Sequence, residues 1–264
     1  LRIALEYAKK FKIPVINHAE DLTLVNDGLM HEGNKSLKLG LSGNPDISES
    51  TMVYRDLSIA KYVDGRIHVP HVSSSKSLDI IRAFKKDGLN VSAEVTPHHL
   101  CFSDEIIKNY DTNAKVAPPI RGDVDQKALV EGVINGDIDC IATDHAPHSI
   151  DDKEKDFENS MCGMIGLESA FGLVNKTLKD AKMDFKSIIN LFSINPSQAF
   201  NITPNYIEEG SLAEINIIDP DIEWKFSDKD IYSLSKNTPV LGKQLVGKVI
   251  ATINKGFISN HQVN

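Results

Sequence analysis

Short apolar runs of strand type alternate along this chain with stretches whose apolar residues recur at helical spacing. Each of four runs stops at residues that can carry chemistry. Ile3, Ala4, Tyr7, Ala8 and Phe11 form a helical stripe and predict a helix over 1–11. Residues 13–17 read as a strand that ends at His18, Glu20 and Asp21. The Gly/Asn/Ser-rich stretch 33–45 reads as loop. Residues 48–63 read as a helix with Ser48 as N-cap. A strand over 66–70 ends at His71 and a serine cluster, and a helix over 75–87 comes next. A strand over 90–95 ends at Thr96-Pro97-His98-His99. After a helix over 128–135, the run 138–143 stops at Asp144, His145 and His148. Helices over 166–178 and 185–199 complete this part.

Strands alternating with helices indicate parallel βα units. In a parallel sheet the carboxyl ends of the strands share one edge, where ligands bind in α/β folds. A lone histidine at a strand end is more often a hydrogen-bonded rim residue than a ligand. Four strands that all deliver His, Asp or Glu to one rim favour a metal or acid–base site. His18, His71 and Asp144 are the candidate ligands, for zinc or a related divalent ion. His98, His99, His145 and His148 are candidates for substrate contact or for orienting a ligand. His68 reads as packing, and His31 and His261 as surface residues.

After residue 203 the texture changes. A turn and short strand over 210–220, and a second strand within 248–258 broken by Asn254-Lys255-Gly256, predict a small β-rich appendage over 204–264. The α/β part then occupies 1–203.

Composition narrows the classes. The chain has 264 residues, 41% hydrophobic and 25% charged, which suffices for a sizeable core. The net charge of −8 without a Lys/Arg run argues against nucleic-acid or lipid surfaces as partners. The apolar runs are too short to span a bilayer. Three cysteines, Cys101, Cys140 and Cys162, match no zinc-knuckle spacing and suit a reducing cytoplasm. Because residues 1–11 already read as a helix in mid-fold behind a non-Met start, we expect a fragment of a longer protein.

Several motifs together resemble dihydroorotases, of the amidohydrolase superfamily. They are Asn17-His18-Ala19-Glu20-Asp21, Ile67-His68-Val69-Pro70-His71-Val72-Ser73 and Glu94-Val95-Thr96-Pro97-His98-His99-Leu100. Pro118-Pro119-Ile120-Arg121, Ala142-Thr143-Asp144-His145-Ala146-Pro147-His148, Gly163-x-x-Gly-Leu-Glu168, Asn195-Pro196 and Asn237-Thr238-Pro239 continue the likeness nearly end to end. The resemblance implies a (β/α)8 metal-dependent hydrolase barrel of which this chain holds the later strands. It implies two zinc ions per complete site, with His18 and His71 on one and Asp144 on the other. Asp144 would also serve as general base and acid. His148 would contact substrate, and the Gly163 segment would line the pocket through its backbone. The implied reaction is reversible hydrolysis of the ring amide of dihydroorotate to N-carbamoyl-aspartate, in pyrimidine biosynthesis.

Two departures shape the expectation. The family's opening His-x-His, its substrate arginine and its bridging acidic or carboxylated-lysine ligand have no counterpart here and would precede Leu1. The fragment alone should therefore be inactive. Ala117 stands where many dihydroorotases place a substrate-contacting Asn, and small residues there also occur in allantoinase- and hydantoinase-like relatives. Another cyclic amide hydrolase, or a non-catalytic dihydroorotase-like partner of aspartate transcarbamoylase, are the alternatives. Homo-oligomerisation and an aspartate transcarbamoylase complex are the implied assemblies.

Overall fold

The structure is a computed structural model and describes residues 1–260. In chain order it contains α1 (Arg2–Ala8), β1 (Val15–Ile16), α2 (Leu22–Val25), β2 (Met30–His31), α3 (Asn34–Leu39), β3 (Gly43–Asn44) and α4 (Ile47–Val63). Then come β4 (Ile67–Val69), α5 (Ser75–Lys86), β5 (Val91–Val95), α6 (Pro97–Cys101), α7 (Asp123–Ile134), β6 (Cys140–Ile141) and α8 (Ile150–Lys153). The remaining elements are α9 (Leu167–Asp180), α10 (Phe185–Phe192), α11 (Ile194–Phe200), β7 (Glu214–Lys225), β8 (Gln244–Asn254) and β9 (Phe257–Asn260).

The core is a four-stranded parallel sheet in the order β1-β4-β5-β6, as the alternation predicts. Val15 pairs with Ile67, Ile67 with Val91, and Glu94 with Cys140. The period of two divides each strand between two environments. Ile67, Val69, Val91, Ala93 and Val95 pack with Val53 and Leu57 of α4, Leu78 and Ile81 of α5, and Leu129 and Val133 of α7. The alternate residues form a polar layer. There His68 bonds Ser92 Oγ at 2.8 Å and Glu94 Oε2 at 2.9 Å, and its buried ring packs on Phe200, so it is a packing residue that is also hydrogen-bonded. Five helices start on side chains that accept from their own first turn: Asp21 for α2, Ser74 for α5, Thr96 for α6, Ser149 for α8 and Asp184 for α10.

The elements differ from expectation at several places. The stretch 33–45 is not all loop, since it holds α3 and β3, with β3 paired parallel to β2. Ser48 is not the N-cap of α4. The helix begins at Ile47, and the buried Ser48 hydroxyl bonds Asn44 Oδ1 and Pro45 O. α7 begins at Asp123, before its apolar stripe, in a turn whose Asp123 and Asp125 suit a helix N-terminus. The helix expected over 185–199 breaks at Ser193 (φ −129°, ψ −77°). Pro196 has no N–H to donate back to Phe192, so the chain restarts its helix just before the proline. His31 is half-buried, with Nδ1 enclosed and unpartnered, and is no surface residue; His261 lies outside the described residues.

The tail strand expected over 210–220 continues past Pro220 to Lys225, with a register shift between Asp219 and Glu223. β7, β8 and β9 form an antiparallel sheet. It packs on α9 through Leu173, Phe226, Val240 and Leu245. Asn175 of α9 donates to Pro220 O at 3.0 Å and Val246 O at 2.9 Å, which ties helix and sheet together. Among the described residues, no helix is long and apolar enough to cross a membrane.

Candidate active site at the strand ends

β1 delivers His18 and β4 delivers His71 to the same edge. The backbone turns sharply at His71 (φ +35°), after the strand has ended at Val69. His18 Nδ1 then lies 3.0 Å from His71 Nε2, with the rings edge-on. Behind them, His18 Nε2 meets Glu20 Oε2 at 3.3 Å, and Asn44 Nδ2 donates to Glu20 Oε1 at 3.1 Å. The Glu20 hydrogen bond raises the His18 pKa above the usual imidazole value, against the opposing effect of burial. Burial, and then the neighbouring His18, lower that of His71. The exposed Asp144 carboxylate acts electrostatically on both rings and stands on a left-handed backbone (φ +47°) beyond β6.

This donor set fits a divalent cation. Two nitrogens on one zinc at about 2.0–2.1 Å each sit at roughly the spacing seen between His18 and His71. Glu20 on the far nitrogen of His18 is the kind of partner that fixes a ligating imidazole. His68, Glu94 and Cys140 also bring donor atoms within 4.8 Å of one another. His68 and Glu94 satisfy each other, and burial, reinforced by Glu94, pushes the Cys140 thiol up to about 12.

His98 and His99 form a buried wall on α6. Pro118 O can only accept, so His99 Nε2 donates to it (2.9 Å) and Nδ1 accepts from the Thr96 hydroxyl (2.8 Å). Burial takes the His99 pKa down to about 4 and that of His98 well below the usual value, so both rings are neutral. Ala117 precedes a cis peptide bond to Pro118 and is exposed between buried neighbours.

The segment 158–163 packs against Ala146 and His148, beyond Asp144 in the chain. Two buried lysines without carboxylate partners organise it. Lys115 Nζ donates to Glu158 O and Ser160 O, and Lys153 Nζ to Met161 O and Gly163 O. Asn237 Nδ2 also donates to Gly163 O, and Gly163 N donates to Lys115 O at 2.8 Å. Both backbone groups of Gly163 are therefore engaged within the protein. His148 is held by its Nε2 on Cys162 O at 2.9 Å and its backbone N on Asn237 Oδ1 at 3.2 Å. His148 lines a cleft of about 540 Å³ with Tyr110, Ser149 and Lys153, which His18, His71 and Asp144 do not border.

Gly163 has φ +136°, and a Cβ there would stand 2.7 Å from Ala146 Cβ and 2.8 Å from His148 Nε2. Gly163→Ala should displace His148 and weaken the fold by about 1–3 kcal/mol. Thermal unfolding and a structure of the variant check this; an unchanged melting point with His148 in place would contradict it. Lys115, Lys153, Asn44 and Glu49 escaped the sequence reading of the site, because single charged or amide residues carry no spacing signal. Arg121 was visible only as part of the Pro-Pro-Ile-Arg motif.

The parallel α/β sheet, with imidazoles and a carboxylate at its strand ends, is joined to a small antiparallel sheet. The amidohydrolase family pattern matches residues 1–256, and the chain belongs to that family. It is 42% identical over 257 residues to a dihydroorotase of Ruminiclostridium cellulolyticum, covering 97% of this chain and 60% of that protein. It is 38% identical over 258 residues to a dihydroorotase of Geobacter sp. (strain M21), covering 98% and 61%. The chain thus spans about three fifths of the length of the curated relatives it matches. The L-hydantoinase of Arthrobacter aurescens shares the fold, with a TM-score of 0.86 at 24% identity over 97% of this chain and 59% of that one.

Proposed function

We propose that this chain is the later part of a dihydroorotase, which hydrolyses the ring amide of dihydroorotate to N-carbamoyl-aspartate. The observation that carries the reading is the convergence of His18, His71 and Asp144 on one strand-end rim, in a chain 38% and 42% identical to the two dihydroorotases. His18, His71 and Asp144 would hold zinc, which when bound acidifies water and polarises the carbonyl. A two-ion centre would need ligands in addition to these three. Asp144 accepts the proton of the attacking water as its oxygen joins the carbonyl carbon. It returns that proton to the ring nitrogen as the C–N bond breaks. Its exposed position on a sharply turned backbone supports that role. Glu20 orients His18. The neutral His98 and His99 form a wall that adds no charge to the rim. His148, anchored by Asn237, and the exposed Ala117 are the proposed substrate contacts, with Gly163 supporting His148 from behind.

The cyclic substrate would belong to pyrimidine biosynthesis in the cytoplasm, and assembly would involve copies of the protein or aspartate transcarbamoylase. Ala117 favours one second reading, a hydantoin- or allantoin-type substrate. The test is turnover of dihydroorotate, hydantoin and allantoin, side by side, by the zinc-loaded full-length polypeptide that carries this chain. Hydrolysis of dihydroorotate at least about tenfold faster than the other two is the expected result. A preference for hydantoin or allantoin overturns the substrate assignment, and no turnover of any overturns the enzyme assignment.

A further inference from the structure

His71 reaches the rim only because the chain leaves β4 through a strained turn at φ +35°. One buried carboxylate grips the residues on the far side of that turn. Glu49, on the first turn of α4, accepts at Oε1 from Ser73 N at 3.2 Å, Ser74 N at 3.2 Å and the Ser74 hydroxyl at 3.3 Å. Its Oε2 accepts from the Ser73 hydroxyl. That hydroxyl in turn accepts from Arg121 Nε at 3.1 Å, and Arg121 Nη1 donates to Asn44 O at 2.6 Å. Asn44 is the residue whose amide holds Glu20 behind His18. Glu49 is 5% exposed, Arg121 2%, and Ser73 and Ser74 are fully buried.

Helix capping does not account for this arrangement. α5 already has its cap, because Ser74 Oγ accepts from Ser77 N. The next residue, Ser75, is anchored separately, both its N and its hydroxyl donating to Asp125 Oδ1 at 2.8 Å. A buried carboxylate and a buried guanidinium, joined only through the Ser73 hydroxyl, are a costly way to brace a turn that apolar packing could brace, since both charges are desolvated. The location is informative. The pair links α4, the turn after His71 and the Pro-Pro-Ile-Arg loop, and its arms reach the segments behind both imidazoles.

We propose that Glu49, linked through Ser73 to Arg121, is a positioning residue that holds His71 Nε2 against His18 Nδ1, and so fixes the spacing of the two imidazoles. The inference rests on the proposed function only in taking those imidazoles as ligands. Glu49→Gln replaces one acceptor oxygen by an amide that must face donors, breaking the grip on Ser73 or Ser74 while keeping the volume. Ser73→Ala is the milder variant, which removes only the hydroxyl between carboxylate and guanidinium. Asp125→Asn loosens the same loop beyond the His71 turn and is the control.

The experiment uses this full chain and has two readouts. One is the imidazole 15N signals of His18 and His71. The other is zinc affinity, by competition with a chromophoric chelator, with His18→Ala identifying the site. In Glu49→Gln the His71 Nε2 signal should lose the shift due to His18, and zinc affinity should fall about 10- to 100-fold. Ser73→Ala should show a loss of about threefold or more, since it deletes single hydrogen bonds, and Asp125→Asn no change in either readout. If Glu49→Gln fails to fold, Ser73→Ala decides. Unchanged His71 signals in the folded variants, or an equal loss in Asp125→Asn, overturn the positioning role. If the wild-type chain binds no zinc at His18, the nitrogen signals alone judge this proposal.

Discussion

Asp144→Asn should lower kcat for dihydroorotate by a factor of about 10² to 10⁴ in the full-length polypeptide, with zinc content largely retained. The amide keeps the size of the carboxylate and one oxygen for a ligand bond. It cannot accept a proton at neutral pH, so both halves of the proposed shuttle fail together. KM should change little, because the substituted group acts on the moving proton rather than on bound substrate. Single-turnover kinetics with metal analysis is the measurement. Near-normal turnover would remove Asp144 from the proton path, whereas loss of activity together with loss of zinc would assign it to binding alone.

The second large effect is on stability towards acid. His99 titrates at about 4 in the folded chain against 6.5 when unperturbed. The unfolded chain therefore takes up this proton first as pH falls. The contribution is full above pH 6.5 and is lost as pH falls towards 4. A displacement of this size corresponds to on the order of 3 kcal/mol. His98, lowered by the same burial, adds in the same direction. Asp104 works oppositely: burial raises it to about 6, so its contribution is full below pH 3.8 and is lost as pH rises through 6. His99→Gln isolates the first effect, since an amide can still donate to Pro118 O without titrating. Urea unfolding at about pH 7, 5.5 and 4.5 should give a shallower loss in the variant; parallel slopes would exclude His99 as a source of the acid sensitivity.

The order of strands and the rim were legible because both arise from short-range patterning. Ile67 and Val69 alternate with His68, and the run ends where His71 begins. The same holds at Ile141 before Asp144. β2 and β3 were illegible because two-residue strands have no period to read. The break at Ser193 was hidden because Ile188, Leu191 and the residues after them continue an apolar helical rhythm across it. Residues at strand ends announce themselves in sequence because the apolar run stops at them. Residues that act from elsewhere in the fold do not. Glu49 looks like any charged residue on an amphipathic helix until the turn after His71 folds over it. Lys115 and Lys153 carry no spacing signal either, although both are buried on carbonyls of one loop.

Arg66, at the start of β4, sends one Nη to Lys12 O at 2.9 Å and the other to Ala199 O at 3.1 Å, in the last turn of α11. A guanidinium suits the carbonyls that a helix leaves open at its end. This residue joins polypeptide made early to polypeptide made more than 130 residues later. Since chains fold broadly from the N-terminus during synthesis, β1, β4, β5 and β6 can add in the order in which they emerge. The bond to α11 closes only after all four. On the ribosome, Arg66 would be the latch that waits for that helix, before the antiparallel sheet follows.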